Sequence, residues 1–355
     1  MATNTKSPAL IGGLSSFRLQ ENRLRSFNLT AGGNIGDVLQ SIYTIRNLTL
    51  KLSVTVQFGA TAPAQADIQP GDEWGFIGNV NLTVNGGTVL ASLTGEQLVM
   101  LNYLTGRNLR KIPANLVTLP AANAQATFTS TLSLPRAMWN AHKPLDFSLN
   151  ANLQNQVYFS VTANQLTNFL STVGATLVSA NLTVYQEAAA PMNASNQPMF
   201  TEWSIVPSQI SFAGASGLTD TKLPPTQIYR AVMMSGKASA AVGAADSAII
   251  SELQVLSQGL ETVHYYDIDS MQAEYYDEIG LKPNTDKVFQ CGTFKSAAWY
   301  VLDFARFKYM TESYNTIGYT NVGLNIATSG AGVINLLPVV IYPTTVVPAK
   351  PAAAA

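Results

Sequence analysis

Apolar and polar residues alternate along much of the first half of this chain. From Ile42 to Phe58, "IYTIRNLTLKLSVTVQF", the residues Leu48, Leu50, Leu52, Val54, Val56 and Phe58 share one face. A period of two predicts a long strand buried on one side. The same pattern runs through "FIGNVNLTVNGG" (Val80, Leu82, Val84), "ATFTSTLSLP" (Phe128, Ser130, Leu132, Leu134), "NQVYFSVTA" (Val157, Phe159, Val161) and "LVSANLTVYQ" (Val178, Ala180, Leu182, Val184). Gly, Pro and Asn clusters punctuate these runs, as in an all-β sandwich or barrel.

One helix interrupts them. Thr94-Gly95-Glu96-Gln97 is a capping box with Thr94 as N-cap and Gln97 at N3; Leu98, Leu101 and Leu104 follow at helical spacing, and Gly106 ends the run. Past Tyr185 the alternation stops. "QEAAAPMNASNQP" (186–198) reads as a linker and "SGLTDTKLPPTQ" as a second loop. Strand-like runs resume in "QIYRAVMMSG", "IISELQVLSQG", "ETVHYYDID", "AAWYVLDFARF", "TNVGLNIAT" and "INLLPVVIYP". The expected organisation is an N-terminal arm over 1–38, a first β-domain over 39–188, a linker over 189–225, a second β-domain over 226–345 and a flexible tail over 346–355.

The two halves repeat each other in order. "NVNLTVNGG", "TVLASL" and the cap "TGEQ" correspond to "ISELQVLSQGLE", "TVHYYDI" and the cap "DSMQ", with Asp269 as the expected second N-cap and Gln272 at N3. Farther on, "ATFTS" (126–130) matches "GTFKS" (292–296), "QVYFSVT" matches "NVGLNIAT", and "ANLTVYQ" matches "PVVIYP". Two structurally equivalent β-domains follow.

A capped helix set between strands, in each of two successive β-sandwiches, resembles the double jelly-roll major capsid proteins of tailless icosahedral viruses of the tectivirus, corticovirus and adenovirus type. The fit is to the bacteriophage members with a membrane inside the shell. The resemblance rests on "IRNLTLKLSVTV", "IGNVNLTVNGGTVLASLTGEQLVMLN", "ATFTSTLSLP" and "SANLTVYQ", then on "ISELQVL", "DIDSMQAEYYDEIG" and "TNVGLNIAT", across most of 41–343. It implies an all-β fold of two consecutive eight-stranded jelly rolls with short inserted helices. It also implies a non-enzymatic virion protein: pseudo-hexagonal homotrimers tiling an icosahedral capsid over an internal membrane, made in the host cytoplasm. The implied partners are other copies of the chain, neighbouring capsomers, minor capsid or vertex proteins, and the membrane through the N-terminal arm. The opening strand of the second half, "QIYRAVMMSG", is shorter than its counterpart.

Composition narrows the alternatives. Charged residues are 12% of the 355, about half the usual share, while 47% are hydrophobic. A neutral Asn/Thr-rich surface suits either a protein packed against other proteins or an extracellular β protein. With a net charge of −1, no field recruits nucleic acid. The first residues lack a signal-peptide pattern, and no apolar run approaches membrane-spanning length. A carbohydrate-binding or adhesin-like surface protein is the alternative function.

Candidate chemistry is sparse. Asp267, Asp269, Glu274, Asp277 and Glu278, interleaved with Tyr265, Tyr266, Tyr275 and Tyr276, form an acidic aromatic cluster. It lacks the Gly and Glu of an EF-hand loop. Asp277 or Glu274 could serve a glycosidase, but a solvated helix side explains the spacing. His142, His264 and Cys291 do not make a zinc set, and Cys291 reads as a small buried thiol. "GGNIGD" (32–37) lacks the strand-to-helix context of a phosphate loop. No catalytic, metal or cofactor site is expected. In the arm, Arg18, Arg23 and Arg25 alternate with Phe17, Leu24 and Phe27; if helical, the apolar three fall close to one side, and the resemblance points the arginines at lipid headgroups. Four "NLT" sequons occur, at Asn28, Asn47, Asn81 and Asn181; the last three fall inside alternating runs, where a glycan is not expected.

Overall fold

The computed structural model describes residues 17–39, 44–106, 110–136, 148–151, 154–191, 200–240, 244, 246–257, 261–280, 289–290, 298–304 and 313–343. In the first half these form β1 (Phe17–Asn28), β2 (Asn34–Val38), β3 (Thr44–Gln57), β4 (Ile77–Val84), β5 (Thr88–Leu93), α1 (Gly95–Leu104), α2 (Ala114–Val117), β6 (Gln125–Pro135), β7 (Leu149–Asn150), β8 (Val157–Ala163) and β9 (Thr176–Pro191). The second half holds β10 (Phe200–Ile205), β11 (Ser208–Phe212), β12 (Ser216–Leu223), β13 (Ile228–Lys237), β14 (Ile250–Ser257), β15 (Glu261–Asp267), α3 (Ile268–Ile279), β16 (Trp299–Asp303), β17 (Tyr314–Asn315), β18 (Val322–Thr328) and β19 (Gly332–Pro343).

The strand order duplicates. In the first half, β1-β9-β3-β6 make one sheet, with β7 on β3, and β2-β8-β4-β5 make the facing one. In the second, β10-β19-β13-β16 make one sheet, with β17 on β13 and β11 on β19, and β12-β18-β14-β15 face it. Each half is thus a jelly roll with its helix between corresponding strands. A parallel pairing of Ile205 in β10 with Ala91 in β5 joins a sheet of one half to a sheet of the other.

In the first half the alternation works as the sequence predicts. Leu48, Leu50, Leu52, Val54 and Val56 of β3 are fully buried, as are Val80, Leu82 and Val84 of β4, Phe159 and Val161 of β8, and Leu182 and Val184 of β9. The Leu of each strand "NLT" lies in this core, and Asn47, Asn81 and Asn181 lie within strands. Val178 departs from its pattern and is about half exposed. The register slips there, Ser179 facing Thr55 and Leu177 facing Val56, so Val178 is the extra residue of a bulge.

The second half obeys a different rule. In β13, Ala231 and Met233 belong to the core shared with the first half, while Val232 and Met234 belong to the core of the second jelly roll. Trp299 and Val301 of β16 alternate in the same way with Tyr300 and Leu302. So do Leu337 and Val339 of β19 with Leu336 and Val340. Over these residues the sheet is buried on both faces, which is why its strands read as continuous apolar runs.

Three expectations change. Residues 17–38, read as an arm, contain β1, paired along its length with β9, and β2, paired with β8; residues 17–27 are strand, not helix. Residues 189–225, read as linker, include the end of β9 and β10, β11 and β12. Gly217, Leu218, Thr219, Asp220 and Lys222 of β12 are exposed, and an edge strand with little to bury lacks the alternation that announces a strand. The N-cap of α3 is Asp267, whose side chain accepts from the Asp269 amide, so Asp269 lies inside the first turn. Helix α1 matches its prediction: Thr94 caps it through a capping box with Gln97, and Gly106 adopts φ 68° beyond its end.

Met233 and Met234 face different cores, so truncating either to Ala is expected to cost about 2–5 kcal/mol. Urea unfolding of the two variants checks this; a near-neutral result for one would mean that its face is wet.

Candidate interaction surfaces

The junction between the halves is built from α1, the turn before β4 and the outer face of β13-β19-β16. Helix α1 is buried nearly all round, Leu98 to Leu104 without a break. Such a helix needs cover on both sides. One side lies on its own jelly roll. The other meets Trp299, whose ring sits edge-on to Tyr103 at 6.1 Å, and Tyr275 of α3, whose hydroxyl donates to the Leu104 carbonyl at 2.6 Å.

Two ionic clusters pin this junction. In the first, Gly71 (φ 95°) and Asp72 (φ 49°) make a tight left-handed turn, a conformation that Gly and Asp tolerate better than most residues. The turn aims two successive carboxylates at one guanidinium: Arg110 donates to Asp72 at 2.7 Å and to both oxygens of Glu73 at 3.0 and 2.7 Å. All three side chains are buried. Burial works against the Arg110 charge, but Glu73 and Asp72 outweigh it and raise its pKa. From the second half, the Gln290 amide donates to Asp72 at 2.7 Å, and the Phe289 ring lies 5.4 Å from the guanidinium.

In the second cluster, Lys237 at the end of β13 contacts Glu96 of α1 and Asp246 at 3.0 Å. A cavity of about 240 Å³ beside it is lined by residues of both halves, among them Thr94, Met100, Ser235, Trp299 and Asn335.

Among the described residues, the equivalents of the joined faces carry exposed side chains. The outer face of β1-β9-β3-β6 carries exposed Lys51 and a set of cross-strand hydroxyl pairs, Ser53–Thr129, Thr55–Thr127 and Ser26–Thr183, each at 3.0 Å. On α3, Asp269, Ser270, Ala273, Glu274, Asp277 and Glu278 are exposed, while Ile268, Met271, Tyr275 and Tyr276 are buried.

The acidic cluster of the sequence is therefore the wet side of α3. Among the described residues no three His, Cys, Asp or Glu side chains gather as a metal site. No helix among them is long and apolar enough to cross a membrane. "GGNIGD" lies in a turn and β2 and opens no helix. His142 and Cys291 fall outside the described residues, and His264 lies in β15. Arg18, Arg23 and Arg25 stand opposite Ala190, Tyr185 and Val184 of β9, strung over roughly 23 Å of strand at the usual rise. Arg25 is exposed and paired with Asp37. Sequence reasoning missed both junction clusters. Their only signal is "GDEW", two adjacent acids beside a Trp in a charge-poor chain; their cationic partners lie far away in sequence.

No protein-family model matches the chain, and no curated protein matches it. Solved structures do. The major capsid protein of STIV, Sulfolobus turreted icosahedral virus, aligns with a TM-score of 0.67 at 17% identity over 92% of this chain and 97% of that one. The major capsid protein of bacteriophage PM2 gives 0.57 at 11% over 92% and 99%. The PBCV-1 virus capsid gives 0.56 at 10% over 92% and 93%. At these identities the likeness is one of fold: the chain is a double jelly roll.

Replacing Arg110 by Met leaves two buried carboxylates without a counter-charge and is expected to cost about 3–5 kcal/mol. Lys at this position restores only part, because one ammonium cannot reproduce the guanidinium fork. Thermal and urea unfolding of both variants measure the difference.

Proposed function

We propose that this chain is the major capsid protein of an icosahedral, membrane-containing bacteriophage, assembled as homotrimers. One observation carries the reading. Inside the chain, the outer sheet face of the second jelly roll packs on the helix side of the first. Among the described residues, the two corresponding faces, the outer sheet of the first and the side of α3 away from Tyr275 and Tyr276, carry exposed side chains. An interface that joins unlike faces head to tail closes into a ring when the rotation permits. Three chains, each supplying two jelly rolls, make a six-unit ring if each step turns by about 60°, the pseudo-hexagonal tile of a shell.

The exposed faces have suitable chemistry. Lys51 lies on the one and Glu274, Asp277 and Glu278 on the other, so opposite charges meet and set orientation. The domain boundary in this reading falls between Pro191 and Phe200. The inner membrane is a further part of the proposal, with Arg18 and Arg23 of β1 adding positive charge for anionic headgroups.

Light scattering on the purified chain should give three times 37.9 kDa at micromolar concentration, and Lys51→Glu should shift it towards monomer, with Asp277→Lys in the same chain restoring part of the trimer. A monodisperse monomer under these conditions would sink the trimer. The membrane part is separate: in vesicle flotation with anionic lipid, Arg18→Gln with Arg23→Gln should lower the bound fraction at low salt, each Arg contributing about 1 kcal/mol. Equal flotation of variant and parent would count against it.

A further inference from the structure

We propose that Glu96, Lys237 and Asp246 form a pH-gated latch between the two jelly rolls, in which uptake of a proton by Asp246 hands the Lys237 ammonium over to Glu96 and tightens the junction. The geometry comes first. Lys237 ends β13 in the second half, and Glu96 opens α1 in the first. Asp246 returns to Lys237 through an isolated antiparallel bridge, with the Ser247 amide donating to the Gly236 carbonyl at 2.9 Å. Lys237 therefore has one carboxylate partner within its own half and one across the junction. It also donates to the Ala244 carbonyl at 3.3 Å.

Charge counting sets the response. Two carboxylates share one ammonium, leaving one net negative charge in a site where the side chains of Lys237 and Asp246 are 10% and 5% exposed. A buried excess charge is costly. It is relieved by protonating one acid, and Asp246 is the more buried of the two. Burial raises its pKa, and the Glu96 charge adds to the rise. Lys237 and the Trp299 indole pull the other way, and the balance lies at about 6. Lys237 and Glu96 are the charged groups that face Asp246 among the described residues. The cavity beside the cluster, lined by Glu96 and Lys237, gives water a route to it.

The sign follows. The folded pKa of Asp246 lies above the ordinary 3.8 of an unfolded Asp. Its contribution to stability is fully present below that ordinary value and is lost as pH rises through about 6. The junction is tightest in mild acid and loosens towards neutrality.

Urea unfolding of the full chain between pH 4 and pH 8, for the parent, Asp246→Asn and Glu96→Gln, tests the latch. Across this range the parent's unfolding equilibrium should change by up to about a hundredfold more than that of Asp246→Asn, which copies the protonated state. Asp246→Asn should also be the more stable of the two at pH 7.5. Glu96→Gln removes the repulsion across the junction and should move the Asp246 titration below its parent midpoint, read from the carboxyl carbon signal by NMR. If parent and Asp246→Asn share one pH slope, Asp246 gates nothing. If the slope vanishes in Asp246→Asn while the Asp246 midpoint ignores Glu96→Gln, Asp246 is a buried acid of the second half alone and the latch across the junction is wrong. Neither result depends on whether the chain forms trimers.

Discussion

The β13-β19-β16 sheet must be dry on both faces, and much else in the molecule follows from that. A jelly-roll sheet buries one face in its own sandwich. The other face is normally wet, and in β3 it carries Lys51, Ser53 and Thr55. In β13 that second face carries Ala231 and Met233, and in β16 Trp299 and Val301. Exposed apolar area of this kind has to be covered. The cover is the helix side of the first half, so α1 becomes buried all round and its equivalent α3 does not. Two elements with the same place in the fold thus have opposite surfaces because of a single contact.

The same contact explains where two buried clusters of charge lie in a charge-poor chain. Arg110 with Asp72 and Glu73, and Lys237 with Glu96 and Asp246, sit where the halves meet. Buried ion pairs are a weak source of net stability, because desolvation cancels much of the Coulomb gain. Their effect here is geometric. Apolar burial is non-directional, so the seam's packing alone fixes the placement less sharply than paired charges do. Asp72 binding the Gln290 amide and Glu96 binding Lys237 fix one relative placement, since any slip strands a buried charge.

Sequence legibility tracks solvent. β3, β4, β8 and β9 were readable because one face is wet and the other dry, so the period of two is written in residue types. The capping box of α1 was readable because it is local. β13 and β19 gave only apolar runs, since two dry faces erase the alternation. β12 does not announce itself in the sequence because an edge strand buries little. The repeat survived all this because element order is insensitive to surface chemistry. The junction clusters did not: Glu73 and Arg110 lie 37 residues apart, and Glu96 and Lys237 lie 141 apart. Only the fold brings them together.

The outer face of the first sheet has a polarity that keeps it hydrated and, on the trimer reading, lets another copy cover it. A hydroxyl buried without a hydrogen bond is costly. On this face Ser53 bonds Thr129, Thr55 bonds Thr127 and Ser26 bonds Thr183 across the strands. Each pair already satisfies one donor before any partner arrives, so covering it strands less polarity than covering isolated hydroxyls would. In water the same groups stay hydrated. The two-sided sheet of the second half could not do this, since its outer residues are Met, Val and Trp. On the trimer reading the division of labour follows: the apolar seam forms once, within each chain as it folds, and the hydroxyl-rich face is kept for the contact between chains that must wait until the chains meet.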